Sequence, residues 1–402
     1  MSFLKRESMK RFLAPFGLLT FLGAVPLVYA AVDAPAGMDD LTNGFESQTQ
    51  FDLDRAQFEN RDEIADGLGP IYNAQACSEC HQSPLSGSVS QISEQRAGKF
   101  DGTTFTAHAG GSLINDRGIA PGLHEMVSAT DNVRTFRASL NLLGDGFVEA
   151  IPDSEFTRIR NAQPPGMKGT IIYVPVLEAP GTARIGRFGW KNQHASLLSF
   201  SADAYLNETG ITSPLQPNEN TMNGQSLAAF DTVPDPEDAA TPAHPFGPDV
   251  ESFTRFMRST KAPSSVTTSS QGFQVFVATG CDYCHTTTIT TAPTGTQING
   301  STFTVPAALG DKNIHPFGDF MLHDIGTGDG IDQGGGPTTR NKVRTAPLWG
   351  LKNRSRLLHT AEALTIDEAI LRHGNEALPV IQQYASLDPS SKNFLIQFLM
   401  SL

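Results

Sequence analysis

The strongest helical periodicity in the chain lies at its C-terminus. Phe394, Leu395, Phe398, Leu399 and Leu402 recur on one face, behind Asp388 as N-cap and Pro389 at the first helical position. Gly272 and Phe276, one turn apart, mark a second helix that lets another cross it closely at the glycine and covers its surroundings with the phenylalanine; the C-terminal helix is the expected partner. Phe12 to Val28 is an apolar stretch preceded by Lys5, Arg6, Lys10 and Arg11 and followed by Val28-Tyr29-Ala30, the pattern of a cleaved export signal. Pro15, Gly17, Gly23 and Pro26 suit that reading better than a spanning helix. Residues from about 152 to 265, rich in Pro, Gly, Asn and Ser, show no sustained period and predict irregular loops, with an exposed loop over Pro234 to Pro248. Thr286 to Thr304 predicts a small hairpin or loop.

All four cysteines fall in two copies of one pattern, Cys77-Ser78-Glu79-Cys80-His81 and Cys281-Asp282-Tyr283-Cys284-His285. This is the CxxCH attachment signature of a c-type haem: two thiols three positions apart can bond the vinyl groups of one porphyrin, and the next imidazole reaches the iron. His81 and His285 are the expected proximal ligands of two covalently bound haems c. A four-cysteine zinc site or two redox dithiols would use the same CxxC pairs. With ten histidines in 402 residues, however, a histidine directly after both pairs favours haem.

Sequence around the motifs is partly repeated. Tyr72 and Ala74 precede Cys77 by five and three residues, as Phe276 and Ala278 precede Cys281, and Val133-Arg134-Thr135 recurs as Val343-Arg344-Thr345. Duplication of a haem domain accounts for this. The expected fold is mainly α: a signal peptide over 1–30, an N-terminal cytochrome c-like domain over 31–265 with a long irregular insertion, and a C-terminal cytochrome c domain over 266–402. A net charge of −13 makes nucleic acid an unsuitable partner, and removal of the basic signal makes the chain more acidic still. Export places the protein in the periplasm, with membrane attachment only if the signal stays uncleaved.

Gly186-Arg187-Phe188-Gly189-Trp190-Lys191, Asn207-Glu208-Thr209-Gly210-Ile211-Thr212 and Ala346-Pro347-Leu348-Trp349-Gly350-Leu351 together resemble the dihaem oxidoreductase family, often labelled thiol oxidoreductases. That family is similar to bacterial dihaem cytochrome c peroxidases and to the dihaem enzyme that matures the tryptophan-derived cofactor of methylamine dehydrogenase. The resemblance implies Trp190 between the haems, Glu208 over the open iron face of the N-terminal haem, and His359 in a turn near that pocket or at the domain interface. It also implies His373, where the peroxidases have methionine, as the second ligand of the C-terminal haem, with His323 or Met321 as rivals. Phe200 and Thr209 stand where the pattern has glutamine and methionine. Glu149 fits a family motif and is a reserve acid. His108 and His124 could reach the first iron, and Asp329 to Asp332 could form a cation loop.

The implied activity is that of a periplasmic, peroxidase-like oxidoreductase. The N-terminal haem would react with hydrogen peroxide or a substrate, and the C-terminal haem would relay electrons from a small cytochrome or cupredoxin. A dihaem electron carrier without its own catalysis is the alternative. Thiol chemistry would need an external thiol, since haem attachment uses every cysteine.

Overall fold

Ser47 opens the helix Gln48–Glu59 by accepting from the Gln50 amide, and Phe51, Asp54 and Phe58 form its buried face. That face meets Pro248–Ser259, a helix with proline in its first turn that buries Val250, Phe253, Phe256 and Met257. Phe58 packs 4.7 Å from Phe256 between ring centroids, and 6.5 Å from the His81 ring. At this interface Asp54 accepts from Arg255 (2.8 Å) and from the Ser252 hydroxyl (2.6 Å).

An equivalent crossing joins Gln271–Thr279 to Pro389–Leu399. Asp388 caps the latter by accepting from the Ser390 and Ser391 amides, as its sequence pattern requires. Phe276 contacts Phe398 at 5.6 Å and lies 6.5 Å from the His285 ring, reproducing the placement of Phe58 against His81. The structural counterpart of Phe276 is thus Phe58, on a separate helix, rather than Tyr72. The Val-Arg-Thr repeat is likewise not equivalent in space. Arg344 lines a cavity, whereas Arg134 turns to the carbonyls of Asp131 and Ser128 at 2.9 and 3.0 Å.

At Gly272 a Cβ would lie 2.1 Å from the Phe394 carbonyl oxygen and 2.5 Å from Phe398 Cβ. Only glycine permits this approach. Gly272→Ala is expected to cost about 1–3 kcal/mol through forced separation of the two helices, seen as a lower denaturation midpoint; an unchanged midpoint would mean that the crossing yields freely.

The computed structural model describes residues 31–235, 239–263 and 269–402; the proposed signal at 1–30 and part of the Pro234 to Pro248 loop lie outside them. The mainly α expectation is corrected: the chain is about 30% helical and 16% strand, and the described residues form seven sheets of two or three strands. In the largest, Ser93–Phe100 runs antiparallel between Phe105–Ala107 and Val133–Ala138, with Glu94 opposite Arg137 and Arg96 opposite Thr135. In another, Val32–Asp33 pairs in parallel with Lys312–Ile314, which also pairs with Ile289–Thr290. The physical reason is that extended segments covering the cavities must satisfy their backbone groups. Apart from the six-pair ladder of Ser93–Phe100 with Val133–Ala138, they do so in ladders of two or three residues, too short to leave an alternating pattern.

The 152–265 stretch also holds more structure than its composition suggested, including the helices Asp153–Ala162, Leu197–Ala204 and Pro248–Ser259. A hairpin of Gln297–Ile298 with Phe303–Thr304 lies in the threonine-rich segment. Residues 31–402 make one compact unit with two main cores. One joins Phe58, Phe147, Phe256, Ile314 and Trp349; the other joins Phe276, Phe317, Tyr384 and Phe398.

Candidate functional site

Two cavities open on the two CxxCH turns, each lined by both cysteines and the histidine of its motif. His81 Nδ1 donates to the Leu140 carbonyl at 2.7 Å, and His285 Nδ1 to that of Phe317 at 2.9 Å. Each hydrogen bond fixes the tautomer and leaves the Nε2 lone pair available, the arrangement of an oriented metal ligand. Burial pushes both imidazoles down to about 4, so they are neutral. The two cysteine pairs line different cavities, and no four-thiol cluster exists among the described residues. Burial also raises the Cys80 and Cys281 thiols to about 12.

The walls suit a haem in each cavity. They are largely apolar, as a porphyrin needs, and the second also presents Arg344, buried, with its Nε unpartnered. A buried guanidinium with an unpartnered Nε in an apolar wall matches a ligand bearing carboxylates, which the haem propionates are.

In the second cavity His285 faces a wall carrying His373, at the end of Ile366–Leu371. His373 Nδ1 donates to the Ala369 carbonyl at 2.8 Å, again leaving Nε2 available. His323 lines the same cavity but has both ring nitrogens engaged, Nε2 with Asp319 at 2.9 Å and Nδ1 with Glu376 at 3.0 Å. Although burial opposes it, the Asp319 carboxylate raises this imidazole well above its ordinary value. As a cation it has no lone pair for a metal. Met321 is buried in the larger core and is not on the cavity wall.

Trp190 lines both cavities. Its Nε1 donates to the Ala138 carbonyl at 2.8 Å, and its ring lies 5.9 Å from that of His359. Next to it, the buried Lys191 ammonium is caged by the carbonyls of Thr339, Arg340 and Lys342 at 2.7–3.0 Å and by Asp329 at 3.3 Å. Arg137 takes the other Asp329 oxygen at 2.8 Å, so the Asp329 carboxylate is already neutralised by two protein cations. His359 is 2% exposed and lines the second cavity, not the one containing Glu208; its Nε2 has no partner, and burial pushes it down to about 4 against the nearby Asp329.

The first cavity contains His81, Glu208 and no other histidine. Glu208 sits on a widened helical turn, Tyr205–Thr209, ended by Gly210 at φ 76°; such turns recur at functional sites. Asn73 donates to Glu208 at 3.2 Å, and Glu94, which shares the cavity wall with Glu208, is paired with Arg96. Burial, then Glu94, pushes the Glu208 carboxyl up to about 8. Glu94 and Arg96 escaped the reading of motifs. Their signal was their spacing: two apart in a strand, they point to one face. Phe200 is also on this wall, stacked 6.0 Å from Phe188.

Other expected residues lie elsewhere. His108 is held between Asp131 (2.6 Å) and Asn223 (2.8 Å), His124 is exposed, and neither lines the first cavity. Glu149 is fully buried and lines neither cavity.

A family model described as "Di-haem oxidoreductase, putative peroxidase" matches residues 122–402, more than two thirds of the chain. The chain belongs to the di-haem oxidoreductase family. The match includes Trp190, Glu208, His373 and the second CxxCH; Cys77, His81, Glu94 and Arg96 precede it. No curated protein matches this di-haem oxidoreductase.

Proposed function

We propose that this chain is a periplasmic, peroxidase-like di-haem c-type oxidoreductase. One haem would be bonded to Cys77 and Cys80 with His81 as proximal ligand, the other to Cys281 and Cys284 with His285 and His373 on its iron. The observation that carries the reading is the asymmetry of the cavities: one is lined by both His285 and His373, the other by His81 as its one histidine among the described residues together with the charged set Glu208, Glu94 and Arg96. Two imidazoles close a coordination sphere and lower a haem potential, suiting electron relay; a single imidazole leaves a position for a small oxidant. The haems, when bound, supply the iron centre and the two electrons that convert hydrogen peroxide and two protons to two waters.

The chain's own residues manage the protons and the route between cavities. Glu208, held as a carboxylic acid by burial and by Glu94, donates a proton to the departing oxygen. Trp190 bridges the two cavity walls, and its hydrogen bond to Ala138 fixes its ring beside His359. Electrons would enter at the second haem from a small cytochrome or cupredoxin. Met257, on the first cavity wall, supports a second reading. An iron held by both His81 and Met257 would be closed to peroxide, making the chain an electron carrier.

Low-temperature electron paramagnetic resonance of the ferric and half-reduced holoprotein, before and after stoichiometric hydrogen peroxide, separates the readings. One iron with an exchangeable position that responds to peroxide, with oxidation of two reduced cytochromes per peroxide, is expected. Two low-spin, peroxide-inert irons in both states would overturn it in favour of the carrier. Haem that migrates with the denatured polypeptide tests the covalent attachment.

A further inference from the structure

Ser93–Phe100 lays two charged side chains against the first cavity. Glu94 and Arg96, on one face of the strand, are both on the cavity wall, and Arg96 is paired with Glu94 through Nε while its Nη1 donates to Ser112 at 3.1 Å. From another element, the turn Tyr205–Thr209, Glu208 lines the same cavity wall. Two carboxyl groups enclosed in one cavity wall resist ionising together, because like charges there repel with little solvent to screen them. Arg96 decides where the remaining charge sits, since it pairs directly with Glu94, while Glu208 accepts from the neutral Asn73 amide.

We propose that Glu94 is a positioning residue for the reaction at Glu208: the two carboxyls share one proton, Arg96 holds Glu94 as the charged member, and Glu208 is thereby kept as the proton donor. The inference rests on the peroxidase reading only for its catalytic consequence. With peroxide, the pair takes up the proton lost on binding and has two. It returns one to the departing oxygen, which leaves as water, and is again singly protonated.

The charged groups around the pair support this assignment. Arg96 and then Arg137, from the facing strand, favour ionised Glu94, and Glu94 is the main charge opposing ionisation of Glu208. Asp203 acts on Arg96 but is itself matched by His194 at 3.0 Å, and Cys80 and His81 complete the titratable surroundings. Glu208 is pushed up to about 8 while Glu94 is held below its ordinary value.

Infrared spectroscopy of the holoprotein at pH 7 tests the proposal without reference to turnover. A protonated-carboxyl C=O band of Glu208 is expected in the wild-type-minus-Glu208→Gln difference spectrum, which cancels the absorption of other buried carboxyls such as Asp145, pushed up to about 8 as well. The band should titrate at lower pH and weaken at pH 7 in Glu94→Gln, where Glu208 stays buried but has no like charge beside it, and be retained in Glu94→Asp, which keeps the charge. In turnover, Glu94→Gln should move the alkaline limit of peroxide reduction at least one pH unit lower, with Glu94→Asp restoring most of the shift. A band that persists in Glu94→Gln, with an unchanged titration midpoint, would overturn the sharing. A protein that never reduces peroxide yet whose band titrates lower in Glu94→Gln would instead refute the peroxidase reading and leave the shared proton in place.

Discussion

Glu208→Gln is expected to slow peroxide reduction by about 10²–10⁴-fold, the usual contribution of a positioned acid or base. Glutamine preserves the shape and can still accept from Asn73, which donates to the Glu208 carboxyl at 3.2 Å. It cannot release a proton to a departing oxygen. The sign of the pH dependence follows from the raised value of about 8. Below it Glu208 carries its proton and can donate; above it the donor is lost, so wild-type activity falls on the alkaline side of about pH 8 and the residual activity of Glu208→Gln does not show that limb. Steady-state peroxide consumption with reduced cytochrome c over pH 5 to 9, alongside haem content, measures both effects. A variant with full haem and wild-type turnover would remove Glu208 from the chemistry.

Glu149→Ala is expected to cost about 3–5 kcal/mol of stability, because removing one partner of a buried ion pair strands the other. Arg258 donates to the Glu149 carboxylate at 2.7 and 3.0 Å, and the Leu197 amide and Asn299 side chain each add a bond at 2.9 Å. One fully buried carboxylate therefore ties together Pro248–Ser259, the start of Leu197–Ala204 and the loop at Asn299. Against a typical total of about 5–15 kcal/mol, that loss is a large share. Burial alone would raise this carboxyl, but Arg258 and the hydrogen bonds outweigh it and hold the carboxyl below its ordinary value. For a lowered carboxylate the stabilisation is present above the unfolded pKa, near 4.3, and is lost as pH falls through the folded value. Urea midpoints of wild type and Glu149→Ala should thus differ widely at pH 7 and converge toward pH 3. A constant gap across that range would show that the charge of Glu149 does not matter.

The residues legible in the sequence were those whose chemistry is local. A CxxCH turn needs no distant partner to be recognised, and both turns occupy cavity walls. Asp388 before Pro389 announced a helix start, and Gly272 with Phe276 announced a close crossing; the Phe394 carbonyl lies where a Cβ on Gly272 would be. The family was legible from three short motifs around Trp190, Glu208 and Trp349, and the family match spans all three.

Other residues owe their roles to long-range contacts. Glu149 looked like a reserve acid and is an anchor because Arg258 and Asn299 reach it across more than one hundred residues of chain. His323 and His373 are both histidines near a cavity, and only their partners separate them: two carboxylates charge the first, while one backbone carbonyl leaves the second neutral with a free nitrogen. Glu94 and Glu208 stand 114 positions apart in the numbering and meet only because a strand and a helical turn line one cavity. By itself the sequence determined the two CxxCH turns, the caps, the close helix crossing and the family, since these depend on neighbours within a few residues. Tertiary structure alone decided the mixed, short-stranded fold, the asymmetry of the cavities and the protonation of their side chains, because burial and charge pairing are set by residues far away in the chain.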